Sequence, residues 1–138
     1  MHSVAEVFGS LSDIKSLDLF DSITSENISS IELRNKSILT RKQYYSRLAG
    51  MINAGLVKRK SGKLVLTAFG RVVNEARKTI EIAGKNEWRL RVIDSVQQSD
   101  EIPHEEWKKL LENLIDDKDI RDILVSAFET KNHKASIQ

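Results

Sequence analysis

Residues 39–71, LTRKQYYSRLAGMINAGLVKRKSGKLVLTAFGR, decide how this chain folds. Thr40 is an N-cap residue ahead of a helical pattern over 41–54, and Gly55 stands where such a helix ends. On a wheel of about 100° per residue, Tyr44, Leu48, Met51 and Ile52 share one face. Lys42, Ser46, Ala49 and Asn53 point the opposite way, with Arg41, Gln43 and Tyr45 on the flanks. Two short β-prone runs follow, 56–60 and 63–67, separated by Ser61-Gly62, a two-residue hairpin signal. Thr67 then caps a helix predicted to reach about 83, with Phe69, Val72, Val73, Ala76, Ile80 and Ala83 on one stripe. Gly84-Lys85-Asn86 breaks it.

Charge is segregated around this stretch. Residues 34–74 hold ten Lys/Arg and no Asp or Glu, whereas residues 1–33 sum to −5 and residues 75–138 to −3. The formal net charge of +2 hides that division. A window with cations and no internal counterions calls for an anionic partner or extensive hydration.

The flanks read as further helices. Ser12-Asp13 caps a helix over 12–23 carrying Ile14, Leu17, Leu19, Phe20 and Ile23, after a weak first turn near Gly9. A second fits 26–34, with Ser25 as cap and Ile28, Ile31 and Leu33 apolar, ending in the turn Asn35-Lys36-Ser37. Beyond the break, helices are predicted over 88–98 (Trp88, Val92, Ile93, Val96), from Pro103 to about 115 (Trp107, Leu110, Leu111, Leu114), and from Asp119 through Phe128. Residues 131–138 read as a frayed tail. One proline and six glycines in 138 residues agree with a mainly α chain carrying one small β-hairpin.

The order helix, helix, turn, helix, hairpin, helix is that of a winged helix-turn-helix. Over roughly residues 12–83 the chain resembles small prokaryotic winged-helix regulators of the MarR/ArsR-like class, particularly short archaeal ones. The Asn53-Ala54-Gly55-Leu56-Val57-Lys58-Arg59 junction and the exit Leu66-Thr67-Ala68-Phe69-Gly70-Arg71 carry the likeness most clearly. The resemblance implies a double-stranded DNA partner and, because the helix after the wing often pairs across a two-fold, a homodimer reading two half-sites. The chain is expected to divide into a DNA-binding domain over 1–83, including the helix after the wing, and a helical extension over 84–138 for dimerisation or interaction.

The chemistry of the side chains fits that assignment. A recognition helix over about 40–54 places Thr40, Arg41, Lys42, Gln43, Tyr45, Ser46 and Arg47 in the turns that reach DNA. Arg reads guanine and Gln adenine by paired hydrogen bonds. A wing over about 56–67 places Lys58, Lys60, Ser61, Gly62 and Lys63 against phosphates or the minor groove. Tyr44 belongs to the core face, and Tyr45, at the rim, has two readings, a DNA contact or a cover over Leu48. Arg47 has two readings, a phosphate contact or an ion pair with an acid of the N-terminal region.

Other chemistries find no support. Cysteine is absent, which excludes disulfides, thiolate metal sites and thiol nucleophiles. No phosphate-cradling glycine motif, HExxH or G-x-S-x-G is present, and His2, His104 and His133 are scattered, so no catalytic residue, metal site or cofactor is assigned. Asp116-Asp117-Lys118-Asp119 reads as a helix boundary with acids favoured by the next helix dipole. Trp88 and Trp107 read as core before they read as the lining of an effector pocket, and no effector is indicated. With no apolar run of membrane-spanning length, the expected location is the cytoplasm and no membrane partner is expected. The competing functional readings are a winged-helix protein-interaction module in a transcription or chromosome-associated assembly, and nonspecific architectural or RNA binding.

Overall fold

The helix predicted over 41–54 forms, and its apolar face becomes the centre of the N-terminal core. In the computed structural model, which describes residues 1–25, 29–97 and 102–137 (side chains through Glu129, Ser25 apart), the elements run as follows. α1 is Val4–Ser10, α2 Ile14–Ser25, α3 Ser30–Lys36, α4 Arg41–Asn53, β1 Val57–Lys60, β2 Lys63–Leu66 and α5 Ala68–Lys85. Then come α6 Glu87–Gln97, α7 His104–Leu114 and α8 Lys118–Ile137. The chain divides into two compact units, Met1–Glu75 and Ala76–Gln138, with the division inside α5.

Each end in the first unit has a chemical cause. Ser3 and Glu6 form a capping box on α1, a short S-x-x-E pattern that turns the weak first turn into a helix. Asp13 caps α2, its carboxylate accepting from the Ser16 N–H at 2.7 Å. α3 begins later than the sequence pattern suggests. Its cap is Ser29, whose hydroxyl accepts from the Glu32 N–H at 3.2 Å, while Ser25, the expected cap, ends α2. The predicted positions 26–28, including Ile28, lie outside the described residues. Thr40 and Gln43 form a reciprocal capping box on α4.

β1 and β2 pair antiparallel with Val57 opposite Leu66 and Lys60 opposite Lys63. Ser61 and Gly62 both have positive φ, 53° and 75°, as a type I′ hairpin turn requires. Ser29 adds an isolated antiparallel bridge to Lys63, so the start of α3 lies alongside the hairpin. Three helices, a hairpin braced by the start of α3 and a following helix make a winged helix-turn-helix. Its core gathers Leu19, Phe20, Ile23, Leu33, Tyr44, Leu48, Met51, Leu56, Val57 and Leu64.

α5 turns inward only part of the predicted stripe, Val73 and Ala83, together with two positions outside it. Gly70 and Asn74 are buried and Val73 packs on the core, whereas Phe69, Val72 and Ile80 are exposed. The reason is a close approach. A side chain at Gly70 would overlap the Leu56 carbonyl oxygen, so this face, not the most apolar one, sits against the junction after α4. Thr67 fixes the approach, accepting from the Gly70 N–H at 2.9 Å and donating to the Gly55 carbonyl.

The second unit packs Ile93, Trp107, Leu111, Ile115 and Ile120 as its core. Trp107 is buried as expected, but Trp88 is 61% exposed, with the Arg89 guanidinium over its ring. α5 breaks at Asn86, whose amide donates to the Ile82 carbonyl at 2.9 Å. α8 starts at Lys118, one residue ahead of the prediction, and Asp117 caps it through the Ile120 N–H at 3.0 Å. The expected frayed tail is helical through Ile137. Among the described residues no helix is long and apolar enough to cross a membrane.

Two glycines of α5 make opposite predictions. Gly70→Ala should lower stability by about 2–3 kcal/mol, because the overlap is with backbone that cannot turn aside. Gly84→Ala, with open space around the added methyl, should raise it by roughly 0.5–1 kcal/mol. Urea midpoints followed by circular dichroism check both signs.

Candidate nucleic-acid interface

The outer face of α4 is the one the sequence pattern predicts. Arg41, Lys42, Tyr45, Ser46, Ala49 and Asn53 are exposed, while Tyr44, Leu48 and Met51 are buried. Gln43 and Arg47 are half-buried. Thr40 is exposed but occupied as the cap, its hydroxyl accepting from the Gln43 N–H at 3.2 Å. The Gln43 side chain is likewise engaged. Its Oε1 accepts from the Thr40 N–H at 3.2 Å, which leaves its amide nitrogen as the group able to donate outward.

The wing presents Lys58, Arg59, Lys60, Ser61, Gly62 and Lys63, all exposed. Lys60 and Lys63 face each other across the turn. Like charges directly opposed across strands cost stability, so an anion at the tip relieves a repulsion built into the hairpin. Arg41, Lys42, Lys58, Arg59, Lys60 and Lys63 meet no carboxylate among the described residues.

Helix and wing are tied by a short relay. The Tyr44 hydroxyl donates to the Ser30 carbonyl at 3.1 Å, and the Ser30 N–H donates to the Gly62 carbonyl at 3.2 Å. Burial pushes the Tyr44 phenol above its ordinary value of 10, reinforced by Tyr45 and opposed by the cations Arg59 and Arg34. The hydroxyl therefore keeps its proton and remains a donor across the physiological range.

Arg47 takes the second of its two readings. Its guanidinium meets Asp13, with Nη2 at 3.3 Å from Oδ2 and Nε at 3.4 Å from Oδ1. The Ser16 N–H is the largest cause holding the Asp13 carboxyl below its usual 3.8, with Arg47 adding to it against desolvation. A lowered carboxyl value means the stabilisation is present above pH 3.8 and is lost as pH falls through the lower folded value.

Two arginines that sequence reasoning left out of the site belong to this surface. Arg34, in the last turn of α3, places its guanidinium 5.7 Å from the Tyr45 ring centroid; Arg41 places its own at 5.9 Å. Arg59 shares the strand face of Val57, which alternation assigns to the core, but the core ends before it and the side chain is exposed. The acid-free window contains both residues; nothing local distinguishes them from solvated cations.

No family model and no curated protein matches the chain. Among solved structures, an ArsR-like transcriptional regulator from Rhodococcus sp. RHA1 is similar at 24% identity, covering 71% of this chain and 93% of that one with a TM-score of 0.47. That likeness does not assign the chain to a family.

Two substitutions test this geometry. Asp13→Asn, which can still cap α2, should flatten the fall in melting temperature as pH drops below 3.8, since neither the bond from the Ser16 N–H nor the contact with Arg47 then depends on a titrating carboxyl; an acid profile parallel to the wild type would be the contrary result. Ser61→Asn, better suited to positive φ, should raise the melting temperature, equivalent to about 0.5 kcal/mol.

Proposed function

We propose that this chain is a sequence-specific double-stranded DNA-binding transcriptional regulator rather than an enzyme. The observation that carries this reading is the set of cations on the outer face of α4 and at the wing tip, which meet no described carboxylate and are held on one frame by the Tyr44–Ser30–Gly62 relay. A helix fits the major groove, and its first two turns reach base edges. In this reading Arg41, Lys42, Gln43, Tyr45 and Ser46 face the groove and Lys58, Lys60, Ser61, Gly62 and Lys63 follow the backbone or the minor groove. Arg47 lies at the edge of the contact because Asp13 draws it back.

A homodimer completes the reading. In the first unit Val4, Phe8, Phe69 and Val72 are exposed apolar side chains on α1 and the start of α5, and a second copy would cover them. Two copies read two half-sites about one DNA turn apart. The proposed location is the cytoplasm, where the DNA of a prokaryotic cell lies.

Selection from a random duplex pool at low and near-physiological salt tests the function, with enrichment of a palindromic motif as the expected outcome. Salt-sensitive binding without a motif would point to an architectural protein, and no binding at either salt would sink the reading. Lys42→Ala and Lys63→Ala should each weaken binding and reduce the slope of log K against log salt by about 0.9 for every phosphate no longer neutralised. Val72→Glu should convert the dimer to a monomer in sedimentation and abolish the preference for a palindrome over a single half-site.

A further inference from the structure

We propose that Tyr45 is a positioning residue whose ring holds Arg34 and Arg41, from two different helices, as a paired guanidinium seat for one backbone phosphate of duplex DNA. This rests on the DNA-binding reading above and assigns within it a contact that sets affinity and register, not base preference.

Three observations carry it. First, the ring is fixed. Tyr45 packs edge-on against Tyr44, centroids 5.2 Å apart at 78°, and Tyr44 is buried with its hydroxyl bonded to the Ser30 carbonyl. Tyr45 itself remains 42% exposed, so its outer surface is open to solvent.

Second, both guanidiniums lie within 6 Å of the ring centroid, where the ring quadrupole attracts them, and neither meets a carboxylate among the described residues. In the proposed seat one phosphate lies between the two guanidiniums and offsets their mutual repulsion. Planar guanidinium forks match the oxygens of a phosphate, which a pair of lysines would meet only as point charges.

Third, the elements distinguish phosphate from base. Arg34 belongs to α3, the helix before the recognition helix, and such a helix crosses the DNA backbone instead of entering the groove. A residue that shares its ring with Arg34 is therefore working at the backbone, which moves Arg41 from base reading to phosphate binding. Lys42 and Ser46, on the opposite face of α4 from the core, keep the central place toward the bases.

The test is a set of variants measured on the selected duplex and on a scrambled one. Tyr45→Leu should weaken both by a similar factor, about tenfold, and Tyr45→Phe should stay within about twofold of wild type because the ring face is retained. Arg34→Ala and Tyr45→Leu should be strongly non-multiplicative when combined, whereas Lys63→Ala and Tyr45→Leu should multiply, since Lys63 is on the wing. A phenylalanine variant as weak as the leucine one, multiplicative effects of Tyr45 and Arg34, or a loss of base preference without loss of affinity for the scrambled duplex would each overturn the proposal. Should Tyr45→Leu fail to fold, Arg34→Lys keeps the charge but not the planar stack; several-fold weaker binding supports the seat and wild-type affinity overturns it. If the wild-type chain binds no duplex at low salt, the DNA reading itself fails. If it binds normally and Tyr45→Leu changes nothing, only this inference fails.

Discussion

The hydroxyl of Tyr44 bonded to the Ser30 carbonyl, with the Ser30 N–H bonded in turn to the Gly62 carbonyl, is the constraint on which the basic surface depends. It joins α4, the start of α3 and the tip of the wing through one buried side-chain hydroxyl and one backbone–backbone bond. Ser29 contributes twice at this point, bridging to Lys63 and capping α3. A buried phenol left without its acceptor would incur a desolvation penalty of about 1–3 kcal/mol, so the relay holds the geometry by the cost of breaking it as much as by the bonds themselves. The distance between α4 and the wing is thereby set within the fold itself.

The charges borne by that frame suit an anion supplied from outside the chain. Lys60 and Lys63 oppose each other, Arg34 and Arg41 share one ring, and the 34–74 window has no acid of its own. Arg47 is the instructive exception, because Asp13 comes from outside the window to meet it. Folded alone, the protein bears the repulsion of these cations, offset by the apolar core beneath α4. In the proposed DNA-binding reading, a polyanion at physiological pH converts the same repulsion into binding free energy that weakens with salt.

Much of the fold is legible in the sequence because its determinants are local. Thr40 and Gly55 bracket α4, Ser61-Gly62 makes the turn, Thr67 caps α5, and each effect acts over a few residues. The departures are equally physical. Apolar spacing around Ile28 points to Ser25 as the cap of α3, while it is the Ser29 side chain that satisfies the Glu32 N–H. Hydropathy points to a buried stripe on α5 through Phe69, Val72 and Ile80, which are more apolar than Gly70 and Asn74; contact with the Leu56 carbonyl selects the small residue instead. Size alone places Trp88 inside, and it lies exposed.

By itself the sequence determined the helices, the hairpin and the segregation of charge, since capping, turn chemistry, periodicity and residue counts depend on neighbours along the chain. Only the tertiary structure decided which cations act together. Arg47 meets an acid 34 residues away, and Arg34 reaches the Tyr45 ring from a different helix. Such encounters are set by how elements pack, and no local pattern encodes the direction in which a long flexible cation will find its partner.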